Sequence, residues 1–265
     1  MAPPLPFVRE AGSGPGVVCL HSNASSSSQW RGLMELLAPR FRVLAPDSYG
    51  SGKSPEWPSD RQIRLVDEVA LIEPVLHDAG LPLTLVGHSY GAAIALRAAL
   101  DQPARVRRLV LYEPTLFSLV DADAPPPNAA DGIRQAVATA ALALDRGDRD
   151  RAAEAFIDYW MGEGTWRLMP EPRRQPIAAS AVNVRRWAHA LFTEPTPLQA
   201  FRALDVPVLF LLGGRTTASA RGVARPLIAA LPRVEVVEFE ALGHMGPVTH
   251  PEPVNAAIAR FLERA

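Results

Sequence analysis

Gly87, His88, Ser89, Tyr90 and Gly91 form a G-x-S-x-G segment that joins the apolar run Leu83 to Val86 to the helix-forming stretch Ala92 to Leu100. In a strand, sharp turn, helix context, small residues on both flanks let the chain reverse and present a serine hydroxyl. A plain glycine turn is the competing reading, and the flanking elements argue against it. A neutral serine hydroxyl is a weak nucleophile, so this chemistry needs a base within hydrogen-bond reach. Six histidines compete for that role. His77 falls in a helical pattern and His189 in a helical middle region. His88 stands beside the serine with its side chain directed the other way. His21 follows a buried strand and anchors the loop after it, and His250, between Thr249 and Pro251, reads as the lead-in to the final helix. His244 lies in Gly243, His244, Met245, Gly246, a turn after the last strand, where an open α/β sheet binds ligands at its carboxyl edge. It is the candidate base, with a capping or solvated loop role as the alternative.

The elements that must position these residues are strands and helices in alternation. Short apolar runs, most of them near-continuous, occur at Val17 to Leu20, Phe41 to Ala45, Leu83 to Val86, Arg108 to Tyr112, Val208 to Leu212 and Val234 to Phe239. Such runs suit strands covered on both faces, as a parallel sheet requires. Leu65, Val69, Ile72 and Leu76 recur on one helical face, and Val254, Ala257, Ile258, Phe261 and Leu262 repeat the pattern at the end. This order predicts a doubly wound α/β sheet with right-handed crossovers. From about Thr115 to Phe201 there is no convincing strand, only helical patterns such as Ile133 to Leu144 and Ala152 to Met161. A helical cap is expected over 115–201, with a core of 1–114 and 202–265. Pro125 to Pro127 mark its entry, and Pro195 and Pro197 its exit. Pro226 interrupts a further helical pattern.

Composition narrows the function classes. The chain has 265 residues, 48% hydrophobic and 21% charged, with a formal net charge of -1, as in ordinary globular proteins. Of its 27 basic residues only Lys53 is a lysine, and the arginines are scattered among acids, so nucleic-acid binding has no electrostatic footprint. Cys19 is the single cysteine, which excludes an internal disulfide and a zinc site built on paired thiolates. Met1 to Phe7 carries neither a basic region nor a long apolar run, and no segment approaches a membrane span, so a cytoplasmic protein is expected. No H-E-x-x-H or carboxylate cluster suggests a metal, and no cofactor is expected.

Four stretches carry a family resemblance: LVGHSYGAA at the serine, VVCLHSNASSSSQW after an early strand, LAPDSYGSGKS after the next, and GHMGPVTHPEPVNAAIARFL at the end. With them the chain resembles an α/β-hydrolase-fold serine hydrolase over nearly everything outside the cap. The first run begins late for that family, so a mostly parallel sheet of about seven strands is expected, with the cap inserted after the strand ending near Tyr112. The family order of nucleophile, acid, histidine places the acid between Ser89 and His244. Its commonest position, G-x-x-D after the strand Val208 to Leu212, here reads Gly213, Gly214, Arg215, Thr216, and threonine cannot carry the charge. Relatives such as the haloalkane dehalogenase group carry the acid one strand earlier. That strand here ends in Tyr112, Glu113, Pro114, so the resemblance implies Glu113, with Asp121, Asp123 and Glu240 in reserve.

The elbow implies the Tyr90 N–H as one oxyanion donor, and His21, Ser22, Asn23, Ala24, similar to the family's H-G-x-x segment, implies the Asn23 N–H as the other. Ser25 to Ser28 read as a flexible linker without chemistry. Asp47 to Ser54 fails the phosphate-loop spacing and reads as a structural turn. Among the cap residues Trp160, Trp166, Trp187, Met161 and Met169, Trp160 is expected to bind substrate, together with Met245 beside the histidine. The expected activity is hydrolysis of a small apolar carboxylic ester. Carbon–carbon bond hydrolysis or acyl transfer on the same triad, and a non-catalytic ligand-binding role, are the alternatives.

Overall fold

The apolar runs form strands whose alternate residues face two separate cores. Val18, Leu20, Leu85, Leu109 and Leu111 enter one core, while Val17, Cys19, Val86, Val110 and Tyr112 enter the other. Both faces of the central strands are therefore dry, which is why those strands read as nearly unbroken apolar sequence. The computed structural model describes residues 4–264, so Met1 to Pro3 of the proline-rich start fall outside the described residues. The strands are β1 (Val8–Ala11), β2 (Gly16–Leu20), β3 (Arg42–Pro46), β4 (Leu83–His88), β5 (Val106–Tyr112), β6 (Val208–Gly213) and β7 (Val234–Phe239). They make one seven-stranded sheet in the order β1-β3-β2-β4-β5-β6-β7, parallel except for β1, which pairs antiparallel with β3.

The strand that no apolar run marked is β1. It is a half-buried edge strand with Arg9 and Glu10 in its middle, so it lacks the apolar continuity that marks the central strands. The sheet is the mostly parallel, helix-flanked sheet of the α/β-hydrolase fold.

The helices are α1 (Arg31–Leu37), α2 (Leu65–Asp78), α3 (Tyr90–Asp101), α4 (Ser118–Asp123), α5 (Asp131–Asp145), α6 (Arg149–Met161), α7 (Thr165–Leu168), α8 (Glu171–Ser180), α9 (Val184–Phe192), α10 (Ala218–Ala230), α11 (Gly246–Thr249) and α12 (Pro251–Glu263). Between β5 and β6 the chain forms helices joined by loops, with no strand. α1 and α12 pack on the sheet face that holds Val17 and Cys19, and α2, α3 and α10 on the other. The periodic residues of α2 and α12 are the ones buried.

α10 continues through Pro226, held by Ala220, Val223, Ala224 and Leu227 buried beneath it. The serine run is not a linker. Ser27–Trp30 is a turn of 3-10 helix whose N-cap Ser26 accepts from the Ser28 N–H, and the Asp47 carboxylate accepts from the Ser27 N–H. No helix is long and apolar enough to cross a membrane among the described residues.

Candidate active site

The reversal at Ser89 is enforced by its neighbours. A Cβ on Gly87 would lie 2.5 Å from the Ala92 Cα, and one on Gly91 would lie 2.3 Å from the Leu20 carbonyl oxygen. Neither position admits a side chain, so β4 and α3 close on each other directly. Ser89 itself takes φ 56° and ψ -115°, a conformation rare outside glycine. Its N–H donates to the Tyr112 carbonyl at 2.9 Å, fixing the elbow to the end of β5. Tyr90 opens α3, so its N–H belongs to the first helical turn and has no intrahelical acceptor.

His244 approaches from the loop after β7. Its Nε2 accepts from the Ser89 hydroxyl at 2.9 Å, and its Nδ1–H donates to Glu113 Oε2 at 2.6 Å. The acceptor-only carboxylate fixes this tautomer. Glu113 leaves the end of β5 with φ 45° and is fully buried. Three donors converge on it. Besides the imidazole, the Gly213 N–H donates to Oε1 at 2.6 Å and the Thr216 hydroxyl to Oε2 at 2.6 Å. A buried carboxylate needs such partners for its lone pairs. The structure thus brings Ser89, His244 and Glu113 into one chain of hydrogen bonds. Asp121, by contrast, pairs with Arg134, and Asp123 and Glu240 are exposed.

The loop carrying His244 is pinned at two successive carbonyls. Tyr112 donates its hydroxyl to the Gly243 carbonyl at 2.8 Å, and His88 Nε2–H donates to the His244 carbonyl at 2.8 Å. His88 Nδ1 accepts from the Gln29 amide at 3.0 Å, and Gln29 Oε1 accepts from both the N–H and the hydroxyl of Ser22, at 3.2 and 3.1 Å. Every donor in this chain faces an acceptor. The line runs from the loop of Asn23 to the loop of His244 beneath the nucleophile. Burial, reinforced by the neighbouring His244, holds His88 well below the ordinary histidine pKa, so it stays neutral and keeps its acceptor nitrogen. None of these partners was assigned this role from the sequence, because the contacts of His88 with Gln29 and His244 and of Tyr112 with Gly243 span long chain separations.

His21 fixes the Asn23 loop from the other side. Its Nε2 accepts from the Ser48 N–H at 3.0 Å, and its Nδ1–H donates to the Ser22 carbonyl at 2.7 Å. Across a planar trans peptide the Asn23 N–H points opposite to that carbonyl. Glu68 is a further group that sequence reasoning passed over, although a carboxylate three residues from Leu65 on the apolar face of α2 was a signal. It is fully buried, accepts from the Tyr49 N–H at 3.2 Å and the Tyr90 hydroxyl at 3.1 Å, and burial pushes its pKa up to about 8.

Over the site lies a cavity of about 780 Å³ lined by Ser89, His244, Asn23 and Met245 and, from the helical insertion, by Trp160, Met161 and Met169. Trp160 stacks on the His244 ring, with centroids 3.9 Å apart and planes at 23°. Trp166 is buried away from this cavity, and Trp187 reaches only a small annex of it. Among the described residues no group of three or more His, Cys, Asp and Glu side chains is placed to hold a metal ion.

The sequence profile of the Alpha/beta hydrolase family matches residues 17–257. A cis-3-alkyl-4-alkyloxetan-2-one decarboxylase from Xanthomonas campestris is 29% identical over 95% of this chain and 89% of that protein. A pimeloyl-[acyl-carrier protein] methyl ester esterase from Nitrosomonas europaea is 26% identical over 92% of this chain and 94% of that protein. Among solved structures, an alpha/beta hydrolase from Sphaerobacter thermophilus superposes with a TM-score of 0.75 at 26% identity, covering 97% of this chain and 95% of that one.

Proposed function

The chain belongs to the alpha/beta hydrolase family, and we propose that within it the protein is a serine hydrolase of carboxylic esters, with Ser89 as nucleophile, His244 as base and Glu113 as acid. The observation that carries this reading is the unbroken Ser89, His244, Glu113 hydrogen-bond chain opening into a cavity of about 780 Å³. The relative named as a methyl ester esterase supports the choice of ester.

Ser89 Oγ attacks the ester carbonyl as His244 Nε2 takes its proton. Glu113 balances the imidazolium so formed. The oxyanion of the tetrahedral intermediate accepts from the Tyr90 and Asn23 N–H groups. His244 returns the proton to the leaving alkoxide, which departs as the alcohol and leaves an acyl-Ser89. Water, deprotonated by His244, then attacks the acyl carbon, releasing the carboxylic acid and the free serine. Trp160, stacked face to face on the imidazole, stabilises its charged form through the ring face and excludes water from one side. Residues 115–201 act as the cap that supplies this wall, and Met245 completes the acyl-binding side.

The test is turnover of short-chain aryl esters with product masses, together with labelling by a fluorophosphonate. Wild type should hydrolyse the ester and carry the label on Ser89, and Ser89→Ala should lose both. A protein that takes no label is a ligand binder of this fold, and products other than acid and alcohol move the reaction to another class.

A further inference from the structure

The cavity over Ser89 has two unlike walls. On the side of the insertion it is lined mainly by apolar residues, among them Phe156, Ile157, Trp160 and Ile177. On the side of the oxyanion loop it is hydroxylated, with Ser25, Ser26 and Ser28. Two arginines also border it: Arg31, at the start of α1, and Arg173, on α8. Both are exposed, and neither forms an ion pair with a carboxylate of the described residues. Other arginines are paired, as Arg42 is with Glu10 and Asp78, and Arg97 with Asp101. The cavity's single carboxylate, Glu56, is already neutralised by Arg186 at 3.3 Å. Arg31 beside the hydroxylated wall and Arg173 on the insertion itself, neither in an ion pair, therefore border this space.

A guanidinium presents a planar fork of donors that matches an oxyanion group, and a concave, partly apolar surrounding strengthens that attraction. At the serine itself the space narrows. An annex of about 20 Å³, walled by Phe117, Ile133 and Leu191, touches Ser89 and Asn23 and admits about one small group.

We propose that the substrate is an ester with one small group at the serine and a long apolar chain that ends in an anionic group, a carboxylate or phosphate, held by Arg31 and Arg173. This rests on the ester-hydrolase reading above and specifies its substrate.

The experiment compares three methyl esters of equal chain length, ending in a carboxylate, a phosphate or a neutral carboxamide, on wild type, on Arg31→Gln/Arg173→Gln and on Arg31→Glu/Arg173→Glu. Wild type should favour the anionic esters over the carboxamide by about tenfold in kcat/KM, the amount two partly exposed charge contacts supply. The preference should lie in KM, weaken in high salt, fall toward unity in the glutamine double variant and invert in the glutamate one. The ratio between carboxylate and phosphate esters identifies which end group is held. Turnover of the carboxamide ester with no gain from either anion, or a preference that survives in both double variants, overturns the proposal and leaves the esterase reading standing. Turnover of no ester by wild type overturns the esterase reading and this proposal with it.

Discussion

Thr216 donates its hydroxyl to Glu113 Oε2 at 2.6 Å, so the residue standing where an aspartate would follow β6 holds the carboxylate that arrives from β5. The two delivery points for an acid meet at one oxygen. A glutamate suits the longer route: its extra methylene lets one carboxylate span the Gly213 N–H, the Thr216 hydroxyl and the His244 ring.

Glu113→Gln keeps the shape and removes the charge, and should lower kcat about 10³- to 10⁴-fold with little change in KM. Thr216→Val should cost about tenfold, the loss of one hydrogen bond to a charged group. Thr216→Asp sets a second carboxylate against the first, and two such groups cannot both ionise cheaply. It should therefore impair the wild-type enzyme yet restore rate when combined with Glu113→Gln. Steady-state kinetics of the four proteins decide it, and a double variant no faster than Glu113→Gln alone removes Thr216 from this role.

The line from Ser22 through Gln29 and His88 to the His244 carbonyl ties together the loops of both halves of the proposed machinery. Gln29→Leu leaves the Ser22 N–H, its hydroxyl and His88 Nδ1 without their partner, so about 1–3 kcal/mol of stability should be lost in denaturant melts. Because the Asn23 donor and His244 both shift, kcat should fall about tenfold while KM holds. Gln29→Glu keeps the acceptor for Ser22 but not the amide donor to His88, and should recover stability only in part. A Gln29→Leu enzyme with unaltered kcat would show that the line is structural alone.

Glu68 makes stability depend on pH in a direction opposite to most carboxylates. Its folded pKa is raised by burial from 4.5 to about 8, so the folded protein holds a proton that the unfolded chain has released across that window. The stability this contributes is fully present below pH 4.5 and is lost as pH rises through about 8. The slope is at most about 1.4 kcal/mol per pH unit. Glu68→Gln keeps acceptor and shape for Tyr49 and Tyr90 without the titration. The stability difference between wild type and this variant, followed from pH 5 to 8.5, should swing toward the variant, and a flat difference would place the carboxyl in contact with water.

What was legible in the sequence follows from range. The elbow reads out because its geometry is local: two positions that exclude a Cβ and one strained residue between them leave a five-residue pattern. His244 was legible from its place after the last strand, and Glu113 only through the threonine at 216. Gln29, His88 and Tyr112 left no pattern, since the contacts joining Gln29 to His88, His88 to His244 and Tyr112 to Gly243 span 59 to 156 residues and their types are unremarkable for a loop or strand end. The edge strand β1 and the serine turn at 27–30 were illegible for a related reason. Polar residues there are held by contacts with Asp47 and β3, and periodicity does not record such contacts.

The backbone at Ser89 carries a further implication. Its φ of 56° suits glycine better than any residue with a side chain, so the hydroxyl is displayed at a conformational penalty of about 1–3 kcal/mol. Ser89→Gly would relax that penalty and silence the protein together.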